Sequence, residues 1–319
     1  MALSKIDPAG LDIGQIGGRR NLIINGAMQV AQRGTSSSST GYQTVDRWRL
    51  NLGTQQEQKT DTPDQFKNSM EITGTVAGSS GYGIVLQRIE SNNIYGALGQ
   101  NCTLSCYVKN TGTSTANVSV EVYRANSTDN FSAITLVSSL TSQPITSGWT
   151  RITFPAFAVP TTASTGLEVR IFRYDASNDQ EWLITGVQLE VGTVATSFEH
   201  ISFGEQLALC QRYYQRVGST SGDSMVPIYA TKNTTNQALL GYSAVQCLRA
   251  TPTVAMNGSF NLYGDGSGES LGAIGTVTAN QIQNRQVTWT QSAGGILSSS
   301  GKICYGYNAN AYFEFDAEL

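Results

Sequence analysis

The chain has 319 residues, enough for about two domains that each bury a core of their own. Charged residues make up only 13% of the sequence, about half of the usual share, so Ser, Thr, Asn, Gln and Gly must cover much of the surface. The formal net charge is −3, whereas a nucleic-acid partner would require a basic surface. We therefore expect no nucleic-acid binding.

The amino-terminal segment carries no targeting signal that we recognise. Residues 1–18 lack the apolar stretch of a secretory signal peptide, and no apolar run in the chain approaches the length of a membrane-spanning helix. These features predict synthesis in a cytoplasm and no membrane insertion. Residues 1–20 show no hydrophobic period, and we interpret them as an extended arm that orders against another subunit or as a disordered tail.

Residues 21–200 consist of short, β-type segments separated by turn signals. The predicted strands lie in RNLIINGAMQVAQRG, GYQTVDRWRLNL, MEITGTV, YGIVLQRI, CTLSCYVKN, ANVSVEVYRA, AITLVSSL, WTRITFPAF, GLEVRIFRY and EWLITGVQLEV. This spacing is typical of a sandwich of two antiparallel sheets. We predict an amino-terminal jelly-roll β-sandwich domain over residues 21–200.

Two of these segments alternate most clearly between apolar and polar residues. Their aliphatic side chains should face the core: Val118, Val120, Val122, Leu167, Val169 and Ile171. The opposite faces carry acids, an arginine and aromatic rings: Glu121, Tyr123, Arg170, Phe172 and Tyr174. These five residues are candidates for a binding face, and a subunit interface or ordinary surface is the alternative.

A short helix is predicted after this domain. A capping-box pattern, S-x-x-E, opens at Ser202. Apolar side chains follow at helical spacing: Phe203, Leu207, Cys210 and Tyr214. We predict a helical linker over residues 201–216 whose stripe packs the two β units against each other or against neighbouring subunits. Its last residues, QRYYQR, are equally compatible with a strand.

Residues 217–319 return to β-type composition. The segments that predict strands are PIYATK, ALLGYSAV, TPTVAMNGSFNLYG, GAIGTVTA, QVTWTQ and KICYGYNANAYFEFDAEL. The fold class is therefore all-β. It comprises the arm (1–20), the jelly roll (21–200), the helical linker (201–216) and a second, carboxy-terminal β-sandwich domain (217–319).

Few residues are available for catalysis or for a cofactor. A Ser–His–Asp or Cys–His arrangement would have to use His200, the only histidine, and five cysteines without a CxxC motif offer little to zinc. Cys102 and Cys106 are about 13 Å apart along a strand, too far for a disulfide. We expect free, mostly buried thiols, no catalytic residues and no cofactor, while a pair of glycosidase carboxylates stays open.

One acidic loop has the composition of a calcium site. Asp175, Asp179 and Glu181 lie close together between two predicted strands, and carboxylate oxygens are the ligands that calcium prefers. The EF-hand spacing and its central glycine are missing. We regard these residues as weak metal candidates, with a solvated acidic loop as the alternative.

Several segments, in order across most of the chain, resemble bacteriophage tail-fibre or receptor-binding-type virion proteins. They are RNLIINGAMQVAQRG, GYQTVDRWRL, WLITGVQLEVGTVATSFE, FGEQLALCQRYYQR and FEFDAEL. The first unit is also similar to carbohydrate-binding jelly-roll modules, which open on an N-L-x-x-N-G segment. Such modules often carry two consecutive acids on their closing strand, where this chain has Thr185-Gly186. The resemblance therefore transfers the fold and not the metal or sugar site.

The resemblance implies a non-enzymatic virion protein, made in the host cytoplasm without a signal peptide. We expect a homotrimeric tail fibre or appendage that docks to other virion proteins through residues 1–20 and recognises a host-surface polysaccharide. The candidate glycan-binding residues are then those of the predicted face: Glu121, Tyr123, Arg170, Phe172 and Tyr174. Two alternatives stay open, a capsid decoration or cement protein with a purely structural role, and a polysaccharide depolymerase.

Overall fold

A computed structural model describes residues 19–74, 82–112, 116–174, 180–218, 224–234, 237–258, 260–263, 269–278, 286–293, 302–306 and 311–319. The chain divides into two compact units with the boundary after Gln206. Strands dominate both units, which confirms the all-β prediction. In the described part of the chain, α-helix is limited to α1 (Ser91–Ile94) and α2 (Phe203–Gln211), and no helix there is long and apolar enough to cross a membrane.

The first unit is a sandwich of two sheets. Its strands are β1 (Ser36–Ser37), β2 (Arg49–Leu52), β3 (Gln55–Lys59), β4 (Ser69–Gly74), β5 (Tyr82–Ile89), β6 (Asn101–Asn110), β7 (Ala116–Ser127), β8 (Asn130–Ile145), β9 (Thr150–Thr153), β10 (Phe157–Ala158), β11 (Leu167–Tyr174) and β12 (Gln180–Val191). The larger sheet has the order β1-β3-β4-β12-β6-β10, with β9 also on β6. The smaller sheet has the order β2-β5-β11-β7-β8. This arrangement confirms the jelly-roll β-sandwich.

The inner faces of the two sheets enclose one apolar core. The aliphatic sets predicted to face inward are buried, and Val122 and Val120 of β7 lie opposite Val169 and Ile171 of β11. Trp182 of β12 is buried in the same core from the larger sheet. Alternation along β7 and β11 therefore determines which side chains remain on the outer face.

The predicted strand in NLIINGAMQV is an irregular segment instead. Asn25 and Met28 have φ values of 58° and 55°, in the left-handed region, which a β ladder does not accommodate. The Asn25 amide replaces ladder hydrogen bonds by donating to the Val30 and Asp46 carbonyls at 2.9 Å each. The segment still lies along β12, where the Leu22 amide donates to the Leu189 carbonyl at 2.8 Å.

The second unit combines a closed barrel with a small sheet. Its strands are β13 (Tyr214–Gly218), β14 (Ser224–Thr234), β15 (Gln237–Ser243), β16 (Thr253–Asn257), β17 (Phe260–Tyr263), β18 (Glu269–Thr278), β19 (Gln286–Ala293), β20 (Lys302–Gly306) and β21 (Tyr312–Asp316). The barrel order is β14-β15-β19-β18-β17-β20, and the sheet order is β13-β21-β16. The sequence predicted a carboxy-terminal β-sandwich over residues 217–319. The all-β class is confirmed, but six of the strands pair into a closed barrel, a long-range closure that the local strand pattern does not encode. Its core centres on Trp289, Phe313 and Phe315.

Helix α2 is shorter than the predicted linker of residues 201–216. Its start matches the capping prediction, because the Glu205 amide donates to Ser202 Oγ at 3.2 Å. It ends at Gln211, and Tyr214 opens β13 opposite Asp316. Backbone pairing with β21 thus overrides the helical spacing, and Tyr214 does not belong to a helical stripe.

The four residues of the predicted packing stripe differ in burial. Cys210 and Tyr214 are buried and Leu207 is half-buried, whereas Phe203 is 56% exposed. Their proposed role in packing between units or subunits stays a prediction.

Cys102 and Cys106 of β6 form no disulfide, as predicted. Cys102, Cys106 and Cys210 are buried, and Cys247 is half-buried. Burial raises the pKa of both Cys102 and Cys106 to about 12. These two thiols stay protonated at neutral pH and are poor nucleophiles.

Gly186 sits at an irregularity in β12 that a side chain would disturb. Its φ is 59°, and a Cβ atom there would lie 2.7 Å from Phe66 Cζ and 2.8 Å from Tyr107 Cδ2. The pairing register of β12 with β6 shifts between Thr185 and Gln188, around this glycine. The glycine therefore allows two aromatic rings to pack directly on the outer surface of the sheet.

We expect Gly186→Ala to destabilise the first unit by roughly 1–3 kcal/mol, because it adds left-handed strain and displaces the Phe66 and Tyr107 rings. The free energy of unfolding of this unit in urea measures the effect. Gly96→Ala is the control, since a Cβ at Gly96 meets no atom within 4 Å. Its effect should stay within about 0.5 kcal/mol of zero. Equal stability of the two variants would contradict the proposed role of Gly186.

Candidate functional site

The outer face of the smaller sheet brings together three of the predicted site residues. Strands β7 and β11 are neighbours, and their register places Arg170 opposite Glu121 and Glu168 opposite Tyr123. Glu121, Tyr123 and Arg170 are all half-buried on this face. We call Glu121, Tyr123, Glu168 and Arg170 the β7–β11 network.

Glu168 is the centre of this network. It projects from the outer face, yet its side chain is fully buried, between two arginines. Arg88 Nε and Arg170 Nε each lie 2.7 Å from one of its two carboxylate oxygens. A buried carboxylate is tolerated only when it is paired in this way. Sequence alternation placed Glu168 on the outer face but gave no indication that it is covered.

Tyr123 is held between the other two members. Its hydroxyl donates to Glu121 Oε2 at 2.7 Å, and the Arg170 guanidinium lies 4.5 Å from its ring centroid. Burial, followed by the hydrogen bond to Glu121, raises the pKa of Tyr123, so the hydroxyl stays a donor. Arg170 covers one side of the ring, which is a cation–π contact. Leu136 of β8 lies opposite Tyr123 and is 51% exposed, so it extends the apolar surface beside the ring.

Hydrogen-bonding capacity remains in the network. Within the described residues, the two terminal nitrogens of Arg170 and Oε1 of Glu121 carry no hydrogen bond. The Arg170 side chain is 25% exposed. The network therefore presents fixed donors and a fixed acceptor next to an aromatic ring.

The remaining predicted site residues lie further along β11. Phe172 is half-buried and pairs with Ser119. Tyr174 ends the strand opposite Asn117, but its side chain lies outside the described residues.

The calcium site at Asp175, Asp179 and Glu181 stays a prediction. Asp175 and Asp179 lie outside the described residues. Glu181 is the second residue of β12, and its backbone carbonyl accepts from Arg173 Nη1 at 2.8 Å. No cluster of three or more His, Cys, Asp or Glu residues able to hold a metal occurs in the described part of the chain.

A second organised surface, on the larger sheet, was missed by the sequence analysis. Trp149 lies in the loop between β8 and β9, and its indole Nε1 donates to Asp61 Oδ1 at 2.9 Å. The Lys109 ammonium lies 2.6 Å from the other oxygen, Asp61 Oδ2. Hydrogen bonds from Lys109 and then Trp149 lower the pKa of Asp61, which stays ionised. We call these three residues the Trp149 triad.

An aromatic cluster lies on the same sheet. Phe66 contacts Tyr107, Phe198 and His200, with ring centroids 5.2, 5.0 and 5.1 Å away, respectively. Phe198 and His200 are 4.9 Å apart. His200, which the sequence offered only as the one histidine available for catalysis, thus packs against the rings of Phe66 and Phe198. Tyr107 and Lys109 are two residues apart in β6, so their side chains lie on the same face of the strand. This face connects the aromatic cluster to the Trp149 triad.

The segment after β12 fixes this cluster by folding back over the larger sheet. Glu190 accepts from the Thr196 amide at 2.8 Å and from its hydroxyl at 2.6 Å. The Glu199 amide donates to Gln188 Oε1 at 2.8 Å. Gln188 and Glu190 are buried on the outer side of β12, so this segment satisfies them and positions Phe198 and His200. The sequence contained no signal for such a return.

The second unit carries one further shallow cavity among its described residues. Its volume is about 230 Å³, and Tyr229, Gly241, Ser243 and Thr288 contribute to its lining. Tyr229 is 69% exposed there, opposite Gly241 in the ladder of β14 and β15. The described lining has no charged side chain, so this cavity offers fewer fixed polar groups than either surface of the first unit.

Comparisons with known proteins gave matches among solved structures only. No family model and no curated protein matches the chain. The CBM22-1 xylan-binding domain of Paenibacillus barcinonensis Xyn10C matches with 15% identity and a TM-score of 0.34, over 50% of this chain and 94% of that domain. A putative sugar binding protein of Bacteroides thetaiotaomicron matches with 14% identity and a TM-score of 0.37, over 54% of this chain and 100% of that protein.

A third structure matches both units. The CBM22-1-CBM22-2 tandem domain of Xyn10C matches with 13% identity and a TM-score of 0.34, over 91% of this chain and 98% of that one. At such identities and TM-scores, these similarities carry no weight for what the present chain binds. The description of its fold rests on its own strands and core.

We expect Glu168→Gln to destabilise the first unit by about 2–4 kcal/mol, since it leaves Arg88 and Arg170 without a buried counter-charge. Urea unfolding measures the change. The control is Glu121→Gln on the same face, which keeps an acceptor for Tyr123 and should cost less than about 1 kcal/mol. A Glu168→Gln variant as stable as the control would show that the two ion pairs do not hold this face.

Proposed function

We propose that the first unit binds a carbohydrate, without chemically altering it, on the outer face of β7 and β11. The observation that carries this proposal is the β7–β11 network, in which the terminal nitrogens of Arg170 and Oε1 of Glu121 flank the Tyr123 ring. Sugar hydroxyls require both donors and acceptors, and the apolar face of a sugar ring requires an apolar platform. The network supplies all three in a small area.

The rigidity of the network supports the same proposal. Glu168 fixes Arg170, and Arg170 and Glu121 fix Tyr123, so these groups are ordered before a ligand arrives. Binding then requires little further loss of side-chain freedom. Leu136 adds apolar surface next to Tyr123, and Phe172 adds it further along β11, two residues beyond Arg170.

In its fuller form, the proposal is that the chain is a bacteriophage tail fibre or appendage that recognises a host-surface polysaccharide. Several sequence segments support this proposal because they resemble virion proteins of that type and occur in the same order. The first of these segments is RNLIINGAMQVAQRG and the last is FEFDAEL. We propose a homotrimer located in the virion, attached to other virion proteins through residues 1–20. Residues 1–18 lie outside the described residues.

A purely structural role in the virion, as a capsid decoration or cement protein, is the second candidate. The observation in its favour is Leu136, which is 51% exposed beside Tyr123. Apolar and aromatic side chains on one sheet face also suit burial against a neighbouring subunit. The copy number per virion separates the two candidates, since hundreds of copies would favour the structural role.

We expect the double variant Phe172→Ala and Tyr174→Ala to bind a glycan array, and to block host adsorption, at least tenfold more weakly than the unchanged chain. The variant removes the half-buried Phe172 ring and the Tyr174 ring that we propose for the same face, and it leaves the Glu168 ion pairs in place. The control is Tyr95→Ala, which removes a ring that is 65% exposed elsewhere on the first unit. Unchanged binding by a folded double variant would exclude Phe172 and Tyr174 from the site.

A viscosity assay tests the non-enzymatic part of the proposal. The polysaccharide that the chain binds should keep its viscosity after prolonged incubation with it. A progressive fall in viscosity would identify a depolymerase instead and would contradict the assignment as a binding protein.

A further inference from the structure

Trp149 differs from the other three tryptophans of the chain. Trp48, Trp182 and Trp289 are fully buried in the cores of their units. Trp149 is only half-buried, in a loop on the outer side of the larger sheet. A large ring kept at the surface is available to a ligand, and what holds it there is informative about that ligand.

We propose that the Trp149 triad is a second carbohydrate site, separate from the β7–β11 network, and that it takes a neutral polysaccharide. Both sites belong to the first unit but lie on different sheets, because Lys109 is in β6 of the larger sheet whereas Tyr123 and Arg170 are in β7 and β11 of the smaller one. The second site does not depend on the first for any of its residues.

The orientation of the ring is fixed in advance. Asp61, in the β3–β4 loop, accepts from the Trp149 indole on one oxygen and from Lys109 on the other. Its carboxylate therefore links this loop to the β8–β9 loop, which carries Trp149, and to β6, which carries Lys109. The indole N–H is satisfied by Asp61, which leaves the ring faces as the interacting surface. An aromatic face is electron-rich and attracts the weakly positive C–H groups of a pyranose.

Polar groups for hydroxyl recognition adjoin the ring. Asp61 and Lys109 have side chains that are 45% and 24% exposed. A carboxylate has about four acceptor positions and an ammonium three donors, so the contacts with Trp149 and between Asp61 and Lys109 leave hydrogen-bonding capacity on both side chains. The surface thus pairs an apolar plate with one acceptor and one donor, which is the composition of a sugar site.

The local charge favours a neutral ligand. Asp61 and Lys109 form an ion pair at 2.6 Å, so together they contribute no net charge. A negatively charged polymer would be attracted by Lys109 but repelled by Asp61 at nearly the same distance. A positively charged polymer would be attracted by Asp61 and repelled by Lys109. Hydroxyl groups of an uncharged sugar meet neither repulsion.

The surface is long enough for more than one sugar ring. Tyr107 precedes Lys109 by two residues on the same face of β6, about 7 Å along the strand. The rings of Phe66, Phe198 and His200 continue from Tyr107. These side chains beyond the triad, of which Phe66, Tyr107 and Phe198 are half-buried and His200 is exposed, suit a stretch of polymer better than a single monosaccharide.

Iodide quenching of tryptophan fluorescence tests the proposal on the full chain, since Trp149 is the one tryptophan within reach of the quencher. The probes are galactomannan, mixed-linkage β-glucan and arabinoxylan as neutral polymers, with alginate as the acidic comparator. We expect at least one neutral polymer to halve the quenching and alginate to leave it unchanged. Trp149→Phe defines the signal of the buried tryptophans.

Variants connect this protection to binding. Trp149→Ala should weaken retention on the protecting polymer at least tenfold in affinity electrophoresis. Asp61→Asn, which keeps an acceptor for the indole but loses the charge that holds Lys109, should weaken it about threefold to tenfold. Tyr95→Ala should have no effect. Protection by none of the three neutral polymers, stronger protection by alginate, or full retention of a folded Trp149→Ala variant would each overturn the proposal.

The two proposed carbohydrate sites can be tested independently of each other. The double variant Phe172→Ala and Tyr174→Ala should leave the iodide protection of Trp149 unchanged. Loss of that protection in this variant would show that the β7–β11 network and the Trp149 triad belong to one site. That result would contradict the inference. Loss of glycan-array binding with intact protection would support two sites.

Discussion

A buried carboxylate is the constraint on which the first unit depends. Glu168 lies on the outer side of a central strand and is nevertheless fully buried, so it must be paired by Arg88 and Arg170. Such a carboxylate, without partners, would cost several kcal/mol. The pairing fixes Arg170 across strands, Arg170 lies on Tyr123, and Tyr123 donates to Glu121. The geometry of the proposed site is therefore a consequence of satisfying one buried charge.

The larger sheet is organised by the same requirement. Gln188 and Glu190 are buried on its outer side and are satisfied by Thr196 and Glu199, which brings the segment after β12 back over the sheet. That return carries Phe198 and His200 onto Phe66. A polar requirement in one strand thus creates an aromatic surface beside the Trp149 triad.

Local patterns in the sequence predicted the local structure well. Alternation in β7 and β11 identified which side chains line the core, and the S-x-x-E pattern identified the start of α2. Where a local pattern competed with a distant partner, the partner decided. Tyr214 fits a helical spacing but pairs with β21, about a hundred positions away in the chain. The left-handed backbone at Asn25 likewise replaced a predicted strand.

Three of the candidate site residues lie together because they share strand faces, while their role in binding stays a prediction. Glu121 and Tyr123 alternate along β7, and Arg170 and Phe172 along β11, so only the adjacency of the two strands was missing. The Trp149 triad could not be predicted in this way. Asp61 meets Trp149 across 88 positions and Lys109 across 48, and no spacing rule relates three separate segments.

The central claim is that the first unit recognises carbohydrate through rigid outer faces of its sandwich. Hydrogen–deuterium exchange, measured with and without a polysaccharide that the chain retains, tests it most directly. The account predicts slower amide exchange in residues 117–124 and 167–174, with no change in the barrel strands of the second unit. Slower exchange confined to the second unit, or none in either unit at saturating polysaccharide, would contradict it.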